Sequence, residues 1–167
     1  MFLALTAFHV AIVFIAATVF VAAAVSDAHS YRIPNSMCGL LLLMYPVFVV
    51  SAPHTVLWRQ SLAVFGLVSI VGFAAFLGKF VGAGDVKLLA VSSLWAGPHL
   101  VAVFLVVTAF AGGVLSIVMA LAAQLRLRKA GSRKVEWTKV QIPYGIAIAT
   151  GGLVTLGLIA KPILLPG

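Results

Sequence analysis

The sequence predicts an all-α membrane protein in which about six transmembrane helices form one bundle, with both termini outside. Hydrophobic residues make up 63% of the 167 residues and charged residues only 8%, which is too little polarity to cover the surface of a water-soluble domain. Because one span needs about 20 apolar residues, six spans use roughly 120 residues and leave little chain for loops. We therefore expect a single transmembrane domain over residues 1–167.

Six apolar segments follow one another along the chain. The first contains no Lys or Arg, is too long for a cleaved signal peptide and lacks its basic start. The second is interrupted by Pro46 and Pro53, and the fourth is short because a Trp-Ala-Gly-Pro sequence ends it at Pro98. The predicted spans are residues 2–25, 37–57, 61–77, 86–96, 99–123 and 142–160.

The basic residues predict the orientation of these spans. With the N-terminus outside, all of the eleven Lys and Arg residues except Arg59 and Lys161 fall on the inner side. Residues 124–140 form a cytoplasmic basic loop, which we interpret as a topology anchor or as a short helix on anionic lipid headgroups. If residues 86–96 were a re-entrant hairpin, this loop would lie outside, against the positive-inside rule. The net charge of +8 therefore indicates a lipid bilayer as partner and not nucleic acid.

The chain has three acidic residues, and two of them are candidates for chemistry. Glu136 lies in the basic loop, where a solvated position is expected. Asp27 ends the first span and Asp85 begins the fourth, so the predicted topology places both at the cytoplasmic face, at the same depth. An ionisable side chain there is costly unless it is paired or faces water, which favours a functional role. The alternative is that each marks a helix end, with Asp85 as an N-cap.

Two neighbouring carboxyl groups supply an acid and a base in one site, because both cannot easily be ionised together. The charged one takes a proton from a water that attacks a peptide carbonyl, and the protonated one donates to the leaving amine. This chemistry needs no metal and no cofactor. Cys38 lacks an obvious His partner, and the four His residues lack metal-ligand spacing, although His29 lies near Asp27.

Short polar blocks surround these aspartates. Before Asp85, glycines allow a tight bend and the approach of an extended substrate strand, although a plain loop and helix cap explains them too. Lys87 does not share the helical face of Asp85, so contact with lipid headgroups is as reasonable as contact with substrate. Pro34 directs the chain into the second span, and Tyr144 either anchors an interface or lines the site. The supporting candidates are Gly82, Gly84, Lys87, Arg32, Pro34, Asn35, Pro143, Tyr144 and Gly145.

Taken together, three blocks of sequence resemble the type IV prepilin peptidases. They are Asp27 followed by Arg-Ile-Pro-Asn at 32–35, Gly-Ala-Gly-Asp-Val-Lys-Leu at 82–88, and Ile-Pro-Tyr-Gly-Ile-Ala at 142–147. The resemblance implies an aspartic endopeptidase, with Asp27 and Asp85 as catalytic pair, that removes a basic leader from pilin-like precursors. It also implies a multi-pass protein of the inner (cytoplasmic) membrane whose active site faces the cytoplasm. Whether it forms a homo-oligomer is left open.

The sequence departs from the larger members of that family in its cysteines. Those members carry a cytoplasmic domain with paired Cys-x-x-Cys motifs and also methylate the new N-terminus, whereas this sequence has only Cys38. It is similar in this respect to the short peptidases of tight-adherence (Flp) pilus systems. Methyltransferase activity and S-adenosylmethionine are therefore not expected.

Three other functions remain as alternatives. Presenilin-type intramembrane proteases share the Gly-x-Gly-Asp motif, but they place a Tyr-Asp pair in mid-helix, whereas Asp27 ends a span. A proton or cation carrier uses buried carboxylates as well. A non-catalytic membrane subunit of pilus assembly would leave both aspartates inert.

Overall fold

The computed structural model describes residues 2–53, 55–129 and 142–164, and these residues form helices with no strand among them. The helices are α1 (Phe2–Ser30), α2 (Asn35–Ser51), α3 (Trp58–Leu77), α4 (Ala83–Lys129) and α5 (Tyr144–Leu164). Four of them are long and apolar enough to cross a membrane, and α2 is a shorter apolar helix. The all-α prediction is confirmed, and these helices fit a polytopic membrane protein. The six spans, the outside position of both termini and the single domain remain predictions.

Helix α4 is broken at Gly97, where the chain reverses. Gly97 has φ 60° and ψ −171°, a backbone conformation that is essentially confined to glycine, and Pro98 follows it. A straight helix would separate Asp85 from Gly112 by about 40 Å, yet both residues line one small cavity. The two limbs of α4, residues 83–96 and 98–129, therefore run antiparallel. They contain the predicted fourth and fifth spans.

The remaining helices pack around α4 and α5. Helix α1 packs on α2 and α5, while α4 contacts α2, α3 and α5. Glycines allow the close approach of α5 to its neighbours: a Cβ on Gly152 would lie 2.7 Å from the buried ring of Phe20, and one on Gly151 would lie 3.0 Å from Phe104. These contacts hold α1 and the second limb of α4 against α5.

A buried aromatic cluster on α2 links α1 to the first limb of α4. Trp95 packs against Phe48 with ring centroids 4.9 Å apart, and its indole N–H donates to the Leu41 carbonyl over 3.1 Å. His9 stacks on Phe48 at 4.7 Å and forms a 3.0 Å hydrogen bond with Ser51 through Nδ1. This cluster lies toward the Gly97 end of the first limb, so that limb is anchored at the end opposite Asp85.

Helix α3 lies at the periphery. Among its residues only Ser61 and Gly72 are buried, and large apolar side chains such as Ile70 point outward. An exposed apolar face of this size suits contact with lipid.

Several predicted boundaries differ from the helices, most clearly at the ends of α1, α2 and α4. Helix α2 ends at Ser51, before the predicted limit at residue 57, because Ala52 is extended and precedes Pro53. The predicted basic loop 124–140 begins as helix, since α4 continues to Lys129. The rest of that loop, with Glu136, lies outside the described residues.

Candidate active site

The structure brings Asp27 and Asp85 together, since both line a cavity of about 1040 Å³, here called the aspartate cavity. Asp27 belongs to the last turn of α1 and Asp85 to the first turn of α4. The α1–α2 and α3–α4 connections and the start of α5 complete its walls. The two carboxyl groups therefore face one space at one end of the bundle, as their positions in the sequence predict.

Asp27 is fixed by the start of α5. Its side chain is 4% exposed, and the backbone N–H of Gly145 donates to its Oδ2 over 2.7 Å. The first backbone N–H groups of a helix have no partner within the helix, so a carboxylate from another helix satisfies one of them and suits the positive end of the helix dipole. Pro143, just before α5, is buried and has no N–H to satisfy.

Gly145 is required at this position by space. A Cβ on it would lie 2.8 Å from Oδ2 of Asp27 and 2.9 Å from the Asp27 Cβ. These distances are shorter than van der Waals contact, so any side chain would displace the carboxylate. The Pro-Tyr-Gly block therefore acts on Asp27 through the backbone of its glycine.

Asp85 is held by the glycines that precede it. It is the third residue of α4, half-buried, and its carboxyl group accepts a hydrogen bond from the Gly82 backbone. The Asp85 side chain therefore reaches back to the start of the helix from within the first turn, and Asp85 is not the N-cap. A Cβ on Gly82 would lie 2.9 Å from the Asp85 Oδ2, so this glycine leaves room for the carboxylate.

Gly84 serves a different contact. A Cβ there would meet the Cβ of Ile33 at 3.4 Å, and the Ile33 backbone lies close by. The absence of a side chain lets the α1–α2 connection approach the first turn of α4. The two glycines of the Gly-x-Gly-Asp block thus shape the cavity in different ways.

The α1–α2 connection forms one wall of the aspartate cavity. Tyr31 ends α1 with a left-handed backbone, φ 51°, and its N–H donates to the Asp27 carbonyl over 2.9 Å. The Ser26 hydroxyl then donates to the Arg32 carbonyl over 2.9 Å, and Pro34 has an extended backbone directly before α2. Arg32 lines the cavity, whereas Pro34 only directs the turn.

Lys87 and Asn35 connect α4 to α2 at the edge of the cavity. The Lys87 amine donates to the Asn35 Oδ1 over 2.9 Å, and both residues line the cavity. Tyr144 is 40% exposed and also lines it, next to Asp85 in the small cavity between α4 and α5. Of the two interpretations of Tyr144, the structure supports the one in which it lines the site.

Sequence reasoning missed the contribution of the α3–α4 connection. Phe76, Lys79 and Phe80 line the aspartate cavity, and Lys79 has a left-handed backbone at φ 60°. From the sequence, Lys79 counts only as one of the basic residues on the predicted inner side. The position of Lys79 in the sequence could have indicated this role. The Gly-x-Gly-Asp block follows Lys79 closely, so the α3–α4 connection has to pass the site.

Other candidate groups lie elsewhere. The His29 Nδ1–H donates to the Val25 carbonyl over 3.0 Å, and His29 is not among the residues that line the aspartate cavity. Cys38 is buried in α2 and lines an apolar groove, and it is not among the residues that line the aspartate cavity. Within residues 2–53, 55–129 and 142–164, no three His, Cys, Asp or Glu side chains are grouped to hold a metal ion.

Comparison with known proteins gives a match at the level of the family. No curated protein and no solved structure gives a significant match. The profile of the type IV leader peptidase family matches residues 12–117, which is more than half of the chain and contains both aspartates and the Gly-x-Gly-Asp block. The Pro-Tyr-Gly block lies beyond the matched residues. The chain belongs to the type IV leader peptidase family.

Proposed function

We propose that this protein is an aspartic endopeptidase that removes the leader from type IV pilin-like precursors at the cytoplasmic membrane face. Membership of the family supports leader peptidase activity. The observation that carries the aspartic mechanism is that Asp27 and Asp85 line one cavity at one end of the helices.

The reaction proceeds by direct attack of water. The charged carboxylate of the pair takes a proton from the water while the water oxygen bonds to the carbonyl carbon of the scissile peptide. The protonated carboxyl group stabilises the carbonyl oxygen, and a proton passes to the leaving nitrogen as the C–N bond breaks. The leader gains the new carboxyl group, and the shortened precursor keeps the new amine. The Gly145 N–H holds Asp27 in place throughout.

The geometry suits a substrate that enters from one membrane face. In a pilin-like precursor, a basic leader is retained inside by the positive-inside rule and an apolar helix follows it. The scissile bond then lies at the inner interface. The aspartate cavity lies at the helix ends that the predicted topology assigns to that interface.

A proton or cation carrier would use the same carboxylates, but such a path needs matching acidic groups deeper in the membrane or at its other face. The sequence has only one more acidic residue, Glu136, and it falls in the basic loop. The acidic groups therefore form a site at one depth, which favours hydrolysis over transport.

The test is cleavage of a pilin-like precursor in liposomes by the wild type and by the Asp27→Asn and Asp85→Asn variants. We expect cleavage at the leader junction by the wild type, and a loss of at least about 1000-fold in each variant. Glu136→Gln is the matched control, because it removes the third carboxylate, and it should retain full cleavage. Retained cleavage by either aspartate variant would contradict the mechanism.

Chelation provides a second test of the same chemistry. The proposed reaction uses only carboxyl groups and water, so EDTA should leave the cleavage rate unchanged. A loss of activity that zinc restores would indicate a metallopeptidase instead.

A further inference from the structure

A second, apolar groove of about 650 Å³ lies between α2, α3 and the first limb of α4. Helices α2 and α3 each pack on α4, but they make at most marginal contact with each other. The space between them is therefore open along its length, with the first limb of α4 as its floor. Its walls are almost wholly apolar.

This apolar groove is continuous with the aspartate cavity. Asn35 and Lys87 line both, and the hydrogen bond between them marks the boundary. From that boundary the groove extends along α2 to Leu42 and along α3 to Phe65. Along both helices the groove leads away from the aspartates toward the opposite end of the bundle. Its length is about 10 Å, because a helix rises about 1.5 Å per residue.

The walls of the groove fit a helix. Nothing lies within 4 Å of a Cβ placed on Gly39, so α2 presents open space there, and Ala90 provides a small residue on the floor. Small residues allow two helices to approach closely within a membrane. On the opposite wall, Ile70 is 71% and Phe73 57% exposed, which leaves large apolar side chains for a partner to pack against.

We propose that the apolar groove binds the apolar helix that follows the cleaved bond in the precursor. The inference rests on the proposed function and adds the place where the substrate docks. The apolar helix of such a precursor crosses the membrane from the cytoplasmic face to the outer face. The groove extends in the same direction from the aspartates. Its inner end then reaches the Asn35–Lys87 boundary, and the adjoining extended segment enters the aspartate cavity.

The first experiment fills the groove. Gly39→Trp places a large ring in open space, and thermal unfolding should show that the variant remains folded. We expect its kcat/KM for a precursor that contains the apolar helix to fall at least about tenfold, mainly through KM. Gly157→Trp is the matched control, since that glycine also faces open space but on α5, away from the groove. Cleavage by Gly39→Trp at the rate of Gly157→Trp would overturn the proposal.

The same substitution at Gly113 tests the other route to Asp85. Gly113 also has open space and lines the small cavity between α4 and α5. We expect Gly113→Trp to have a smaller effect on KM than Gly39→Trp. The reverse order would place the helix in the small cavity and would refute docking in the apolar groove.

The second experiment detects the bound helix directly. In a Cys38→Ala, Asp85→Asn background, and with copper phenanthroline added as the thiol oxidant, Ile70→Cys should form a disulfide with a precursor that carries one cysteine in its apolar helix. Phe110→Cys is the control, because Phe110 is 75% exposed but does not line the groove. Equal cross-linking at both positions, or none at Ile70→Cys, contradicts the proposal.

The outcomes separate this inference from the proposed function. No cleavage by the wild type refutes the peptidase, whereas selective cross-linking at Ile70→Cys would still support docking. Normal cleavage by Gly39→Trp without selective cross-linking refutes docking in the groove and leaves the proposed peptidase activity intact.

Discussion

At the end of the bundle opposite the aspartates, buried polar side chains are held by partners from neighbouring helices. His9 bonds to Ser51 at 3.0 Å and Trp95 to the Leu41 carbonyl at 3.1 Å, within a closed aromatic cluster. At the other end, Asp27 and Asp85 face a cavity of about 1040 Å³. Both regions bury polar groups in an apolar protein, and the second leaves room for another molecule. The closed end therefore stabilises the fold, and the open end is the place where we propose that the chemistry occurs.

Apart from substitutions of the aspartates themselves, the largest expected effect comes from adding one methyl group at the open end. Gly145→Ala would place a Cβ 2.8 Å from the Asp27 Oδ2, so the carboxylate has to move. A displacement of about 1 Å is expected to lower kcat about 100-fold. Rates of precursor cleavage should be measured beside Gly157→Ala, which adds the same methyl group in open space on the same helix. Equal rates in the two variants would show that the Gly145 contact does not position Asp27.

The next effect concerns stability at the closed end. Gly97→Ala forces a side chain into a backbone conformation confined to glycine, and its Cβ would lie 2.9 Å from the Ser61 hydroxyl. We expect a loss of about 1–3 kcal/mol in the free energy of unfolding. Denaturant titration in detergent micelles checks it. An unchanged midpoint would mean that the reversal of α4 does not depend on Gly97.

A smaller effect is expected from the hydrogen bond of Trp95. Trp95→Phe keeps an aromatic ring in the cluster but removes the donor to the Leu41 carbonyl. The free energy of unfolding should fall by about 1 kcal/mol, while kcat per folded molecule stays unchanged. A decrease in kcat at full folding would link the closed end to catalysis and would weaken the comparison.

The smallest effect is expected at the boundary of the two open spaces. Lys87→Met removes the exposed hydrogen bond to Asn35, which contributes about 0.5–1.5 kcal/mol at most. Cleavage should change only a few-fold. A double-mutant cycle with Asn35→Ala measures the coupling between the two side chains. A loss of cleavage activity as large as that of an aspartate variant would indicate that Lys87 takes part in catalysis.

The sequence predicts the parts of this molecule that depend on local pattern. Apolar runs of helix length predict the helices, and the Gly97-Pro98 pair predicts the break between the fourth and fifth segments. The equal depth of Asp27 and Asp85 follows from counting spans and applying the positive-inside rule. Each of these inferences needs only residues that are close in the chain or a property summed over a segment.

The sequence does not predict contacts that depend on packing between distant segments. The Gly145 N–H that holds Asp27 belongs to the last helix, and nothing local indicates which carboxylate it meets. The sequence does not indicate the left-handed backbones of Tyr31 and Lys79, because neither residue is glycine. The apolar groove arises because α2 and α3 both pack on α4, which no single segment encodes.

The most direct test of the central claim is whether the two aspartates act as one unit. Single-turnover cleavage should be measured for Asp27→Asn, Asp85→Asn and the double variant, with folding checked by thermal unfolding. Because groups that act together are strongly non-additive, the double variant should cleave no more slowly than the slower single variant. Losses that multiply in the double variant, or substantial cleavage by either single variant, would show that the aspartates do not form a catalytic pair.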